Sequence, residues 1–284
     1  MADLNNIKLP LVDDEYLAEC ERSFNEWLYS NPNNYDKWSV VKNAANVCVC
    51  FPKTVTLDVP ADIRRNFAMD YGDADRKVIK EWVELHLDNE LSEFVGKKFF
   101  LKNSCFSNKF NFKDSCLIPE EWTVDVLVEH MIEIQMTSMA FDTGGLHQFL
   151  LREYIEPADE CKTIYNGMPF RPEMRLFYDF TNHKRLYEVF YWNWNYCHPV
   201  IVDNGGDDVE VYESEYNRIY RLYAERSHHF REVIDVTLEQ VNGLEGIWSV
   251  DFILEDKRVW LIDMAVGANS VYYNPEKIFS DESR

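Results

Sequence analysis

Two aspartates stand inside apolar runs toward the C-terminal end of the chain. Asp251 interrupts Trp248-Ser249-Val250-Asp251-Phe252, and Asp263 interrupts Leu261-Ile262-Asp263-Met264. Aspartate disfavours strands and an unpaired buried carboxylate is costly, so each needs a reason to be there. A connection of three residues, Asp256 to Arg258, would make the two runs a hairpin with Asp251 opposite Asp263 on one face. Adjacent carboxylates repel unless a proton or cation lies between them. A magnesium ion, which takes oxygen ligands and water, answers that need. Exposure to solvent, or pairing with lysines, is the plainer alternative.

Three further groups could carry charge chemistry. Phe99-Phe100-Leu101-Lys102-Asn103 is an apolar strand that delivers a lysine at its end, and the polar loop after it reaches Lys109. Two cations with hydroxyl and backbone donors make a phosphate cradle; solvated lysines on a surface turn read the same way. Leu150-Leu151-Arg152-Glu153-Tyr154-Ile155 is a strand whose backbone edge could meet an adenine, or an ordinary core strand. Glu173 and Arg175 are two apart, so on a strand they share a face. There they could reach into a site or only hold each other.

The elements that must position these residues follow from apolar spacing and turn residues. The first ~95 residues read as mostly helical, with a stripe from Asp75 to Val95. Strands are expected at Lys98 to Lys102, Phe149 to Ile155, Met174 to Phe180, Arg185 to Trp194, Gly246 to Leu254 and Arg258 to Ala265. Helices are expected at about Thr123 to Ala140, opened by Glu120 and Glu121, and at about Ser214 to Val241. Asn166-Gly167-Met168-Pro169 is a turn-rich loop. Hairpins mixed with helices point to an α+β fold with mainly antiparallel sheets.

Composition sets the outer limits. The 284 residues carry a net charge of -21, which argues against a nucleic-acid binder and leaves basic substrates or partners easier to accommodate. Apolar residues at 46% and aromatics at 15% are globular values. Seven scattered cysteines without zinc-type spacing read as free thiols of a cytoplasmic protein. The opening MADLNNIKLPLVDDE is acidic rather than basic and apolar, unlike a secretory leader. No run approaches the ~18 apolar residues of a membrane span.

Taken in order, these pieces resemble the ATP-grasp superfamily over about residues 98–273. Leu101-Lys102 looks like its nucleotide-lysine strand, Arg152-Glu153-Tyr154-Ile155 like its adenine hinge, and Glu173-Met174-Arg175 like its acid-x-Arg strand. Asp251 and Leu261-Ile262-Asp263 look like its two metal-ligand strands. Ser107-Asn108-Lys109-Phe110, Ile164-Tyr165-Asn166-Gly167-Met168-Pro169 and Gly246-Ile247-Trp248-Ser249-Val250-Asp251 are similar to small ATP-grasp proteins of bacteria and phages. A more distant likeness is to eukaryotic ATP-grasp chaperones that assemble a translation initiation factor. Two departures stand out: Asn103 to Lys109 lacks the usual glycines, and Ala265 stands where an asparagine is usual, with Asn269 the nearest substitute.

The resemblance implies ATP and Mg2+ as cofactors and a carboxylate–amine or carboxylate–thiol ligase acting through an acylphosphate. Lys102, Arg152, Glu153, Tyr154, Ile155 and Glu173 would bind nucleotide, Asp251 and Asp263 metal, and Arg175 and Lys109 would share the developing charge. The substrate would be a small molecule, peptide or protein. An ATP-grasp kinase and a non-catalytic ATP-binding assembly chaperone are the alternatives. The implied organisation is a helical, specificity-shaping region over 1–95, ATP-grasp subdomains over 96–148 and 149–278, and a tail over 279–284.

Overall fold

The computed structural model describes residues 14–67, 72–143, 145–158 and 160–279. The acidic opening before Asp14, and the tail beyond Phe279, lie outside the described residues. In chain order the elements are α1 (Asp14–Ser30), α2 (Tyr35–Trp38), β1 (Thr54–Asp58), α3 (Ala61–Asn66), α4 (Asp73–Glu84), β2 (Phe99–Asn103), β3 (Leu117–Ile118) and α5 (Val124–Ala140). There follow β4 (Gln148–Glu153), β5 (Thr163–Ile164), β6 (Met168–Pro169), β7 (Glu173–Asp179), β8 (Lys184–Phe190), α6 (Trp194–Asn204), α7 (Asp208–Glu239), β9 (Ile247–Leu254), β10 (Val259–Val266) and α8 (Pro275–Phe279). The chain divides by contact density into a unit through Asn31, whose described part is α1, and a unit from Pro32 onward. Among the described residues no helix is long and apolar enough to cross a membrane, and all seven cysteines are free.

The expected class holds: α+β, antiparallel sheets, a mostly helical beginning. One four-stranded sheet runs β1-β4-β2-β3 and another β10-β9-β7-β8, each antiparallel throughout. The mostly helical reading of the first ~95 residues missed β1. Its run Thr54-Val55-Thr56-Leu57-Asp58 alternates in the strand period but is short and stands among helical segments. It completes the first sheet by pairing with β4.

Each sheet has one face against helices. Phe99, Leu101, Phe149 and Leu151 pack with Leu127, Met131 and Ile134 of α5 and with Ile79 and Val83 of α4. The opposite face carries Phe100, Lys102, Leu150 and Arg152, because side chains alternate and Phe100 stands opposite Arg152. In the second sheet Met174, Leu176, Val250 and Phe252 pack with Ile219, Phe230, Ile234 and Leu238 of α7. Those α7 residues recur at helical spacing, the stripe expected of a long amphipathic helix. The other face presents Glu173, Arg175, Ser249, Asp251 and Asp263. α7 begins at Asp208, earlier than the expected Ser214, and α5 is capped by Thr123, whose hydroxyl accepts from the Val126 N–H, not by the expected acids.

Asp251 does stand opposite Asp263, by a different device from the expected one. The connection is Glu255 to Arg258, since Val259 pairs with Leu254. Continued unchanged, that register would set Asp251 opposite Ile262. A bulge between Leu261 and Asp263 absorbs one residue and restores the facing pair.

Candidate functional site

The first sheet delivers Lys102 and Arg152. The Lys102 side chain is 3% exposed and donates to both carboxylate oxygens of Asp263, at 2.9 and 2.8 Å. Burial pulls the Lys102 pKa down, with Asp263 pulling it partly back. Burial alone would raise the Asp263 carboxyl, but Lys102, Arg152 and Lys109 hold it below the ordinary range. Arg152 sits over the rings of Tyr35 and Trp38, at 5.0 and 5.5 Å, and donates from Nη1 to the Ile262 carbonyl. Its Nε and Nη2 are buried and have no hydrogen-bond partner among the described residues. Arg152 shares its sheet face with Lys102, while Glu153, on the other face, accepts from the backbone N–H of Lys53.

After Asn103 the chain turns back on itself. The Asn103 side-chain oxygen accepts from the N–H groups of Cys105 and Phe106, at 3.0 and 2.6 Å. Asn108 is tied to α5 through Glu133 and Thr137. The Ser104 N–H donates to the Gln148 carbonyl and the Lys109 N–H to the Ser107 carbonyl, so most of this glycine-free loop is tied down by its own and neighbouring acceptors. Lys109 emerges with its ammonium 5.0 Å from the centre of the Tyr191 ring. Among the described residues no carboxylate pairs with it within 4.0 Å. Burial opposes its charge, but Tyr191, Glu173, Asp251 and Asp263 keep it protonated well above the ordinary lysine range.

The second sheet delivers the acids and Arg175. Arg175 and Asp251 face one another across β7 and β9 and form a two-pronged pair, both contacts 2.7 Å. The third prong of Arg175 reaches the Val271 carbonyl at 3.2 Å, and its guanidinium lies 5.1 Å from the Tyr191 ring. Glu173 is 2% exposed, and its carboxylate pairs loosely with Arg171 at 3.8 Å. Burial raises its pKa against the pull of Lys109 and Arg171, and one carboxylate oxygen has no hydrogen bond. Beside Ala265, whose register partner is Ser249, the hydroxyls of Ser249 and Ser270 bond to each other, while Asn269 is exposed.

Two hollows meet over these groups. One, of about 610 Å³, is lined by Phe100, Phe112, Met168, Ile253 and Ile262 with Lys102, Lys109, Arg152, Glu173 and Asp263 at its charged side. The stretch Glu153-Tyr154-Ile155 borders it. β4 is paired with β1 through Arg152 and with β2 through Glu153, so Tyr154 and Ile155 lie just past its paired part. The Ile155 carbonyl accepts from Arg171 at 2.7 Å. The second hollow, of about 1220 Å³, is walled by aromatic side chains and shares Ser107, Lys109, Met168 and Asp263 with the first.

The structure thus gathers Lys102, Lys109, Arg152, Glu173, Arg175, Asp251 and Asp263 where the two hollows join, with Tyr154 and Ile155 at the far end of the first. For a magnesium ion the donor chemistry is right, since carboxylate oxygens are its preferred side-chain ligands. In this structure all four of those oxygens are already bonded to Lys102 or Arg175. Among the described residues no group of three His, Cys, Asp or Glu side chains gathers for a metal.

Sequence reasoning missed Arg171 and Tyr191. Arg171 was findable, because Arg171, Glu173 and Arg175 alternate at strand spacing. Tyr191, in the run Phe190-Tyr191-Trp192, has no local signal; its place between two cations comes from Lys109 and Arg175.

No protein-family model matches the chain, and no curated protein matches it in sequence. Among solved structures it is similar to Cdc123 from Schizosaccharomyces pombe, with 13% identity, a TM-score of 0.45 and 85% of each chain covered. It is also similar to D-alanine–D-alanine ligase from Bacillus anthracis, at 11% identity and TM-score 0.41, covering 90% of this chain and 64% of that one. N5-carboxyaminoimidazole synthase from Aspergillus clavatus, solved with ADP and 5-aminoimidazole ribonucleotide, matches at 9% identity and TM-score 0.39, covering 89% and 50%. These likenesses are distant, so the chemistry rests on this chain's own residues.

Proposed function

We propose that the protein has an ATP-grasp arrangement, binds ATP with magnesium, and activates a carboxylate as an acylphosphate for transfer to an amine or thiol. The observation that carries this reading is the junction itself. Lys102 and Arg152 from one sheet, Arg175 from the other and Lys109 from a loop converge on two facing aspartates inside an acidic protein. Gathering that many buried cations costs desolvation, and Lys109, which lines both hollows without a paired carboxylate among the described residues, fits a polyanionic ligand that would bond it.

In this reading the adenine lies against Phe100, Met168, Ile253 and Ile262, with Tyr154 and Ile155 beside it. The phosphates lie toward Lys102, Lys109 and Arg152. Asp251 and Asp263 are the residues that would hold magnesium, and a bound ion would supply charge neutralisation at the phosphate oxygens. Arg175 and Lys109 stabilise charge as the substrate carboxylate takes the γ-phosphoryl group and ADP leaves. The amine or thiol then attacks the acyl carbon and phosphate leaves.

The paired state of Asp251 and Asp263, together with Ala265, favours a second reading, a non-catalytic ATP-binding chaperone. Release of ADP with free phosphate, measured against pools of amino acids, peptides and polyamines, separates the two. Free phosphate marks the ligase, a phosphorylated product a kinase, and binding without turnover the chaperone. Titration calorimetry with Mg-ATP tests the shared premise. Lys102→Ala is expected to lose roughly 1.5–3 kcal/mol of nucleotide affinity, the value of a charge-assisted hydrogen bond. Unchanged affinity would remove Lys102 from the site.

A further inference from the structure

The larger hollow has a chemistry of its own. Phe110, Tyr196, Val200 and Val271 are 44–56% exposed yet stand around one opening, with Trp192 and Tyr272 deeper. Clustered exposed apolar side chains of this kind mark a surface that something covers. At the inner end one cation is left without a paired acid. Asp251 and Asp263 are each held by a cation, so no unpaired acid faces the hollow. Lys109 has no carboxylate partner there among the described residues, and it lies against the ring of Tyr191, whose hydroxyl has no hydrogen-bond partner among them either.

An occupant complementary to both ends has a carboxylate inside and an apolar body outside. An amine would meet the Lys109 ammonium, and the carboxylates beside it are already bonded to Lys102 and Arg175. Position also selects. The lining runs from Lys109 inside to the exposed Phe110, Tyr196, Val200 and Val271 at the rim, so an occupant that touches both ends leads out of the hollow.

We infer that this hollow takes the free C-terminal segment of a peptide or protein whose last residues are aromatic or branched aliphatic, its terminal carboxylate bound by the Lys109 ammonium and the Tyr191 hydroxyl. The inference deepens the proposed function and rests on it only for what happens next, since the same Lys109 borders the cleft assigned to ATP. Basic substrates, admitted by the net charge, are disfavoured here: the acids that would attract them are already paired.

The test uses the full chain and a set of synthetic pentapeptides, Gly-Gly-Gly-Phe-Phe and Gly-Gly-Gly-Val-Leu as free acids, their C-terminal amides, and Gly-Gly-Gly-Lys-Lys, with free phenylalanine as the single-residue probe. Binding is read by titration calorimetry without nucleotide, so a failure of ATP binding does not mask the result. The apolar free acids are expected to bind at least about tenfold tighter than their amides, than the lysine peptide and than phenylalanine. Tyr191→Phe and Lys109→Met should each erase the acid–amide difference. Val200→Glu, at the exposed rim, should weaken the apolar free acids while leaving the fold, checked by melting, intact. Equal affinity for acid and amide, preference for the lysine peptide, equal binding of phenylalanine, or no binding by any peptide would each overturn the proposal. Mg-ATP binding measured on the same protein separates that outcome from failure of the nucleotide site.

Discussion

At the scale of single residues, the site holds two closed charge pairs, Lys102 with Asp263 and Arg175 with Asp251. Lys102 is almost fully buried, and its only carboxylate partner among the described residues is Asp263. Removing one member of a buried pair leaves the other uncompensated. Asp263→Asn is therefore expected to lower apo stability by roughly 3 kcal/mol, read from the denaturation midpoint, and to abolish stabilisation by Mg-ATP. Retained Mg-ATP stabilisation would remove Asp263 from the metal role and leave it a structural counterion. The pair also makes a pH statement. A carboxyl whose folded pKa is depressed binds fewer protons folded than unfolded, so its stability is present above the ordinary value of 3.8 and lost as pH falls through the folded value. Glu173 works in the opposite sense, because burial raises its pKa and favours the protonated form in the fold. Subtracting the acid titration of Asp263→Asn from that of the natural protein should leave stability falling with acid below 3.8. A flat difference would show that the pair contributes no net linkage.

At the scale of elements, the hollows are floored by a hairpin that depends on unusual backbone. β5 and β6 are joined by Tyr165, Asn166 and Gly167, with φ of 50, 56 and 97°. A bulky residue such as Tyr165 rarely adopts positive φ. Here the surroundings impose it. Tyr165 N–H donates to Asp208 at the start of α7, and the carbonyls of Tyr165 and Asn166 accept from Phe112 and Lys113 N–H. This docking carries Met168 into both hollows. At Gly167 a Cβ would meet the Lys113 side chain in a conformation that already suits glycine. Gly167→Ala is expected to cost about 1–2 kcal/mol. Lys113→Ala in the same chain should restore only part, because it relieves the contact and not the backbone. Full restoration would show that the cost is steric alone. The glycine at the turn was legible in the sequence. The segment on which the turn docks was not, because Phe112 and Tyr165 are far apart along the chain.

At the scale of the molecule, a net charge of -21 surrounds an interior that gathers cations. The field outside repels polyanions, so nucleotide affinity must come from local contacts that the fold assembles beforehand. A ligand that binds only the folded state raises its stability by mass action, by about 2.7 kcal/mol at a concentration one hundred times Kd. Millimolar Mg-ATP is expected to shift the melting temperature upward by several degrees, and ATP with chelator by less. No shift with either, by scanning calorimetry, would overturn the nucleotide reading for the whole protein.

What the sequence determined by itself is the set of inward-facing charges. Strand alternation is local, with a period of two, so the order of residues alone assigns faces to Lys102 at the end of an apolar strand, to Glu173 with Arg175, and to the aspartates within apolar runs. The helix–hairpin mixture and antiparallel class were legible for the same reason. What only the tertiary structure decided is which charge meets which. Lys102 and Asp263 are 161 residues apart, and their pairing depends on how the faces of two sheets come together. The bulge that brings Asp263 opposite Asp251, the edge strand β1, and the setting of Tyr191 between Lys109 and Arg175 likewise depend on long-range packing. Local patterns report which way a side chain points; its partners belong to the tertiary arrangement, because burial forces charges to be satisfied by whichever groups the packing brings near.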